Sequence, residues 1–202
     1  MKILPIKEQY RIKDIILQER LDTIVPKYMK EFEIDCYLVM SKEYNEDFVF
    51  DVLTPAAYLT ARRITILVFM NVEGTIKRFS LSMRDPSLEK YYEPRFHLNE
   101  ETQMEALNKL LDEFKPKNIC IDISKDHKYG DGLSHGLYEL LLDELKENKI
   151  RLESKSVNYD VMCNNLKEEV VQELKNIIYI IDKQKFHNLL NKHQTKNLEP
   201  LH

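Results

Sequence analysis

Between Ile64 and Met70 the chain reads ITILVFM, seven consecutive residues that are all apolar or β-branched. A strand with one wet face alternates apolar and polar positions; a run without alternation belongs to a strand covered on both faces. Seven residues are too few to cross a membrane as a helix. The segment therefore predicts a central strand of a sheet with cover on either side. NVEG follows, with Gly74 suited to a left-handed turn position, and then TIKRFSL (Thr75–Leu81) alternates. Together these predict a β-hairpin.

Helices supply the cover. From Ile6 to about Phe32, apolar residues recur at helical spacing (Ile12, Ile15, Ile16, Leu21, Ile24, Val25, Met29). Pro26 should divide or kink that segment, because proline lacks the amide donor and clashes with the preceding turn. IDCYLVM (Ile34–Met40) is a short apolar strand, and SKEYNEDFVFDVLTP gives a polar loop and a short helix ending before Pro55. Asn99 is placed to cap a helix with Glu100 and Glu101 in its first turn, an apolar face at Met104, Leu107, Leu110, Leu111 and Phe114, and Pro116 as its stop. Asn118–Ile123 then reads as a strand, leucines 137, 140, 141 and 145 as a helix running to about Glu147, and Ile150–Glu153 as a further strand. A last helix carries a stripe from Leu166 to Ile181, followed by a polar tail. This order predicts the α/β class, with a mixed β-sheet of about five to six strands flanked by helices. The division expected is 1–160 for the main domain and 161–202 for the terminal helix and tail.

The 202 residues carry a formal charge of −4 and are 32% charged, with lysines and glutamates interleaved and no basic block, which excludes a nucleic-acid footprint. No run approaches the apolar length of a membrane span or a signal sequence, so the expectation is a cytoplasmic protein with no membrane partner. Cys36, Cys120 and Cys163 have no C-x-x-C spacing, and the first two fall inside apolar strands. They read as reduced, buried thiols.

Three of the four glycines lie in GDGLSHG (Gly130–Gly136), between a strand and a helix, where a dinucleotide-binding loop would be. The spacing is G-x-G-x-x-x-G, one residue too long, and SKDHKY separates the strand from Gly130. Backbone amides cannot then be pinned over the strand end to meet a pyrophosphate, which leaves a nucleotide-binding domain as the weaker alternative. The six histidines form no H-x-x-x-H or H-E-x-x-H pair. His127, Asp131 and His135 flank the glycine turn and are the only grouping from which an unrecognised metal or catalytic site could be built. No G-x-S-x-G elbow is present, and Glu168–Glu169 at a helix start are explained by the helix dipole.

ERLDTIVPKYMKEFEIDCYLVMSKEYNED, TPAAYLTARRITILVF and DGLSHGLYELLLDEL, taken in this order, resemble the N-terminal domain of the creatinase/prolidase/Xaa-Pro aminopeptidase family of metallopeptidases. The resemblance runs from about Arg20 to Glu153 and is closest at SKEYNED, ARRITILVF and DGLS. It implies a ribonuclease H-like architecture, and makes DGLSHG a strand-to-helix turn in which Gly132 eases the bend and Ser134 caps the helix.

The family's catalysis resides in a second, C-terminal domain, where two Asp, one His and two Glu hold two divalent metals (Mn, Zn or Co) that activate water for hydrolysis. None of those five ligands can be placed here; the stretch LKEEVVQELKNIIYIID resembles the segment that opens that domain. The resemblance thus implies a non-catalytic domain without a cofactor of its own, a shortened product or an excised piece. Its expected partners are a second copy in a homodimer, a missing catalytic domain, and the peptide substrate of the parent enzyme. The stripe Leu166–Ile181 is an expected association surface. Tyr44, Asn45, Arg62 and Arg63 lie in the matching motifs and are the candidate residues for the rim of a neighbouring active site; the competing reading is local structure, a loop closed by Asn45 and arginines paired with helix carboxylates. A free-standing binding module derived from this domain is the alternative function.

Overall fold

A computed structural model describes residues 4–124, 130–145 and 151–153, the last three through their backbone alone. Its centre is a six-stranded mixed sheet. The strands are β1 (Cys36–Lys42), β2 (Ile64–Val72), β3 (Thr75–Leu81), β4 (Glu93–Pro94), β5 (Asn118–Ile121) and β6 (Arg151–Glu153), in the spatial order β4-β3-β2-β1-β5-β6. β1, β2 and β3 form an antiparallel meander, while β4 pairs parallel to β3, β5 to β1 and β6 to β5.

The run that predicts a central strand is one. Ile66, Leu67, Val68, Phe69 and Met70 of β2 are each 0–1% exposed, and the side chains alternate between two separate cores. Leu67 and Phe69 join Tyr37 and Val39 on one face; Ile66, Val68 and Met70 join Cys36, Leu38 and Met40 on the other. Thr65 is buried within this run, and its hydroxyl bonds Tyr58 Oη (2.9 Å) and Ser82 Oγ (3.2 Å) and accepts from Arg62 N–H (3.1 Å). The polar atom is thereby satisfied, which is the condition for placing it there. The hairpin turn needs positive φ at both central residues, met by Glu73 (51°) and Gly74 (86°), with Val72 paired to Thr75.

The first face is covered by α1 (Ile6–Glu19), α2 (Val25–Glu31) and α3 (Phe48–Leu53). Pro26 divides the first helical segment as expected, and the means is a π-helical turn at Arg20–Ile24, closed by Val25 N–H on the Arg20 carbonyl. Widening the helix just before proline relieves the hydrogen bond that proline cannot make. Tyr37 stacks on Phe69 with ring centroids 5.8 Å apart, and Tyr92 meets Phe69 edge-on at 5.9 Å. Tyr92 Oη donates to the Leu53 carbonyl (2.6 Å), tying α3 to the segment before β4.

α4 (Gln103–Phe114) and α5 (His135–Leu145) cover the second face. The helix expected after Asn99 starts later. Thr102 is its N-cap, accepting from Glu105 N–H while Glu105 accepts from Thr102 N–H, a reciprocal capping box. Asn99 instead occupies a left-handed turn position (φ 71°), and Glu101 turns back to accept from His97 N–H and Lys109. Two hydrogen bonds from the capping box outweigh the single one Asn99 could offer. The helix stops at Lys115, left-handed at φ 49°, directly before Pro116. The short edge strand β4 has no counterpart among the sequence expectations, β1 is displaced by two residues at both ends, and β5 ends two residues early. Cys36 and Cys120 are buried and form no disulfide, on opposite faces of the sheet. Burial pushes the Cys36 thiol up, so it stays protonated. Cys163, the stripe Leu166–Ile181 and the 161–202 division lie outside the described residues.

Candidate functional site

β1 and β5 are parallel neighbours whose following helices, α3 and α5, lie on opposite faces of the sheet. A doubly wound fold opens a ligand crevice beyond the carboxyl ends of such strands. Here that place is filled by the chain's own carboxyl groups. Asp122 follows β5 on the same face as Cys120, and Tyr37 is the partner of Cys120 in the ladder, so the two side chains meet: Tyr37 Oη donates to Asp122 Oδ1 at 2.6 Å. Asp47 arrives from the other side as the N-cap of α3, with Oδ1 accepting from Val49 N–H (3.0 Å) and its own N–H donating to Ser41 Oγ (3.1 Å).

Asp47 and Asp122 are neighbours whose carboxyl groups act on each other. They are 3% and 2% exposed, and the remaining oxygen of each, Oδ2, has no donor if both are ionised. Two buried like charges in contact are costly, and one shared proton removes the conflict by supplying the missing donor. Both carboxyls are accordingly shifted up, Asp122 well above the usual range, by burial first and by the neighbouring Asp47 charge second; burial raises Asp47 against the hydrogen bonds it accepts. Among the described residues, no cation is paired with either group.

Gly132 forms the lid. A Cβ there would lie 2.0 Å from Asp47 Cγ, so no side chain fits. The position does not require a left-handed φ, so close approach to Asp47, rather than ease of bending, is what demands glycine. Leu133 N–H donates to the Asp122 carbonyl (3.0 Å), and Ser134 caps α5 through its Oγ at 3.4 Å from Leu137 N. A phosphate brought to this turn would face two carboxyl groups, which is a physical reason to reject the phosphate-loop reading.

The four rim candidates are brought together on the outside of the same corner. Asn45 closes the turn after β1 by bonding Lys42 (3.0 Å), Glu43 N–H donates to the Arg63 carbonyl (2.8 Å), and Glu46 Oε1 accepts from both Tyr44 N–H (3.2 Å) and Ala61 N–H (3.0 Å). Tyr44 is 89% and Leu59 76% exposed, and Arg62 and Arg63 lie on the surface, Arg62 reaching Asp85 at 3.5 Å. Tyr44 and Arg63 both take left-handed φ, 66° and 56°. Non-glycine residues pay for that conformation. Asn45 thus closes its loop through its main-chain N–H, Arg62 is paired with Asp85, which lies outside the helices, and the Tyr44 ring points into solvent.

The alternative grouping is not assembled by what is described. His127 lies outside the described residues, Asp131 accepts from Ser124 N–H (3.3 Å), and His135 is exposed at the start of α5. Among the described residues, no three His, Cys, Asp or Glu side chains group to hold a metal. The Asp47–Asp122 pair is the element that sequence reasoning missed; its one visible signal is Asp122, a carboxylate at the end of the buried run NICID.

No family model, curated protein or solved structure matches the chain. Among the described residues, no helix is long and apolar enough to cross a membrane.

Proposed function

We propose that the chain is a non-catalytic N-terminal domain of the creatinase/prolidase/Xaa-Pro aminopeptidase type, inactive alone, which contributes to dimerisation and to the rim of a substrate site. One observation carries the reading. The three motifs on which the resemblance rests, far apart in sequence, form a single corner: Glu46 of SKEYNED binds Ala61 N–H of ARRITILVF, and Asp47 of SKEYNED lies against Gly132 of DGLS. Residues that resemble a family only as a set are thus used as a set. The antiparallel meander extended by two parallel strands, with helices on both faces, supports the ribonuclease H-like part of the reading.

The outer surface of that corner is the contact surface in this reading. An exposed tyrosine and two surface arginines are residue types enriched at interface centres, and Leu59 adds exposed apolar area. The rim is where the peptide substrate of a parent enzyme, or a second copy, would be met; the two divalent metals would belong to a catalytic domain, and the protein would act in the cytoplasm. Sedimentation velocity on the full chain tests the association. A concentration-dependent dimer is expected, shifted toward monomer by Tyr44→Ser with Leu59→Ser, while circular dichroism stays unchanged. A chain that remains monomeric at every concentration removes the dimerisation part of the proposal.

A further inference from the structure

We propose that Asp47 and Asp122 form a proton-operated catch, which holds the turn before α5 against the start of α3 while one proton is shared and releases it when that proton is lost. The proposal is independent of the family reading. It stands on the geometry of the cluster: two neighbouring carboxyl groups, both buried, each with one oxygen lacking a donor, and a glycine backbone seated on one of them.

The surroundings decide what the second ionisation would do. From β1, Tyr37 donates its hydroxyl proton to Asp122, and that one donor is already used. From β5, Cys120 adds no positive charge. Around the start of α3 stand Glu46 and Asp51; Asp51 is itself shifted up, by burial first, then by the charges of Glu46 and Asp47. Lys13 of α1 acts on Asp51, and the Lys42 ammonium lies near Gly136 at the start of α5. Neither lysine forms an ion pair with Asp47 or Asp122, so a second negative charge in the pair would go unneutralised among the described residues. Separation is the available response. It would lift Gly132 and Leu133 away from Asp47, since Leu133 N–H is held by the carbonyl of Asp122 itself.

The direction of the pH effect follows from the upward shift of both carboxyls. A carboxyl raised on folding binds a proton that the unfolded chain, with pKa about 3.9, has released. Its contribution is complete below about pH 4, declines as pH rises, and is gone above the folded pKa. This opposes ordinary acid denaturation. Carboxylates shifted down act the other way at lower pH, among them Glu101 through Lys109 and Glu105 through Thr102 N–H. Above pH 5 the pair should dominate the slope.

The test is urea unfolding of the full chain from pH 5 to pH 9, for the wild type, Asp122→Asn and Asp47→Asn. An asparagine at 122 keeps an acceptor for Tyr37 and supplies a permanent donor to Asp47. The wild type should lose stability with rising pH, the unfolding constant growing by up to about tenfold per pH unit while one proton is released, and Asp122→Asn should flatten that slope. Hydrogen exchange in the wild type, corrected for the intrinsic base-catalysed rate, should show Leu133 and Val49 opening together as pH rises. Should neither variant fold, the wild-type slope and the paired exchange still decide. A flat wild-type profile, a slope that persists in Asp122→Asn, or Leu133 and Val49 opening independently would each overturn the catch.

Discussion

Gly132 sits against the carboxyl group of Asp47 so closely that a methyl group on it would lie 2.0 Å from Cγ and 2.0 Å from Oδ1. The carboxyl group cannot simply swing aside, because it also caps α3 by accepting from Val49 N–H. Gly132→Ala should therefore destabilise the chain by about 1–3 kcal/mol, the usual range for forced overpacking. On an Asp47→Ala background the same change should cost much less. A double-mutant cycle by chemical denaturation measures the coupling, and additive costs would mean that the two residues do not press on each other.

The start of α4 makes a second, separable prediction. Thr102→Ala removes one arm of the capping box and should cost about 1 kcal/mol. Asn99→Gly, at a left-handed position that glycine accepts freely, should be neutral or slightly stabilising. Thermal unfolding of the two variants separates them. A larger loss at Asn99 than at Thr102 would restore Asn99 as the cap.

Buried hydroxyls anchor the corner from behind. Tyr58 Oη bonds both Thr65 Oγ1 (2.9 Å) and Ser82 Oγ (2.8 Å), and all three residues are buried. Tyr58→Phe leaves Ser82 Oγ only Thr65, and Thr65 only Ser82 and Arg62 N–H, and should cost about 1–2 kcal/mol with the fold retained. Replacing all three by apolar residues of similar shape (Tyr58→Phe, Thr65→Val, Ser82→Ala) should recover part of that loss, since the penalty lies in the orphaned partner. Denaturant midpoints read both outcomes, and a triple variant less stable than the sum of its parts would contradict the argument.

The sheet was legible because burial on two faces leaves a plain trace in composition. ITILVFM has no alternation, and the hairpin announces itself by VEGT. Pro26 was equally plain, though nothing in the string distinguishes a break from the π-helical turn that passes it. Asn99 misled because a capping residue is recognised by what lies three positions on; Thr102 with Glu105 carries that signal in full. The carboxyl pair was the least legible part. Asp47 and Asp122 are 75 residues apart, and each alone reads as a helix cap or a strand end. Only the parallel pairing of β1 with β5, which puts Tyr37 beside Asp122, brings them together. The rim candidates were found through resemblance, and their clustering follows from main-chain bonds that no residue pattern encodes, Glu43 N–H to Arg63 foremost.

The most direct test of the central claim is an activity measurement. The full chain, purified through size exclusion, would be given Xaa-Pro peptides with and without added manganese, and release of the N-terminal residue followed. The proposed non-catalytic domain should give no turnover above buffer at any metal concentration. Manganese-stimulated hydrolysis that follows the folded protein across the elution peak would contradict it.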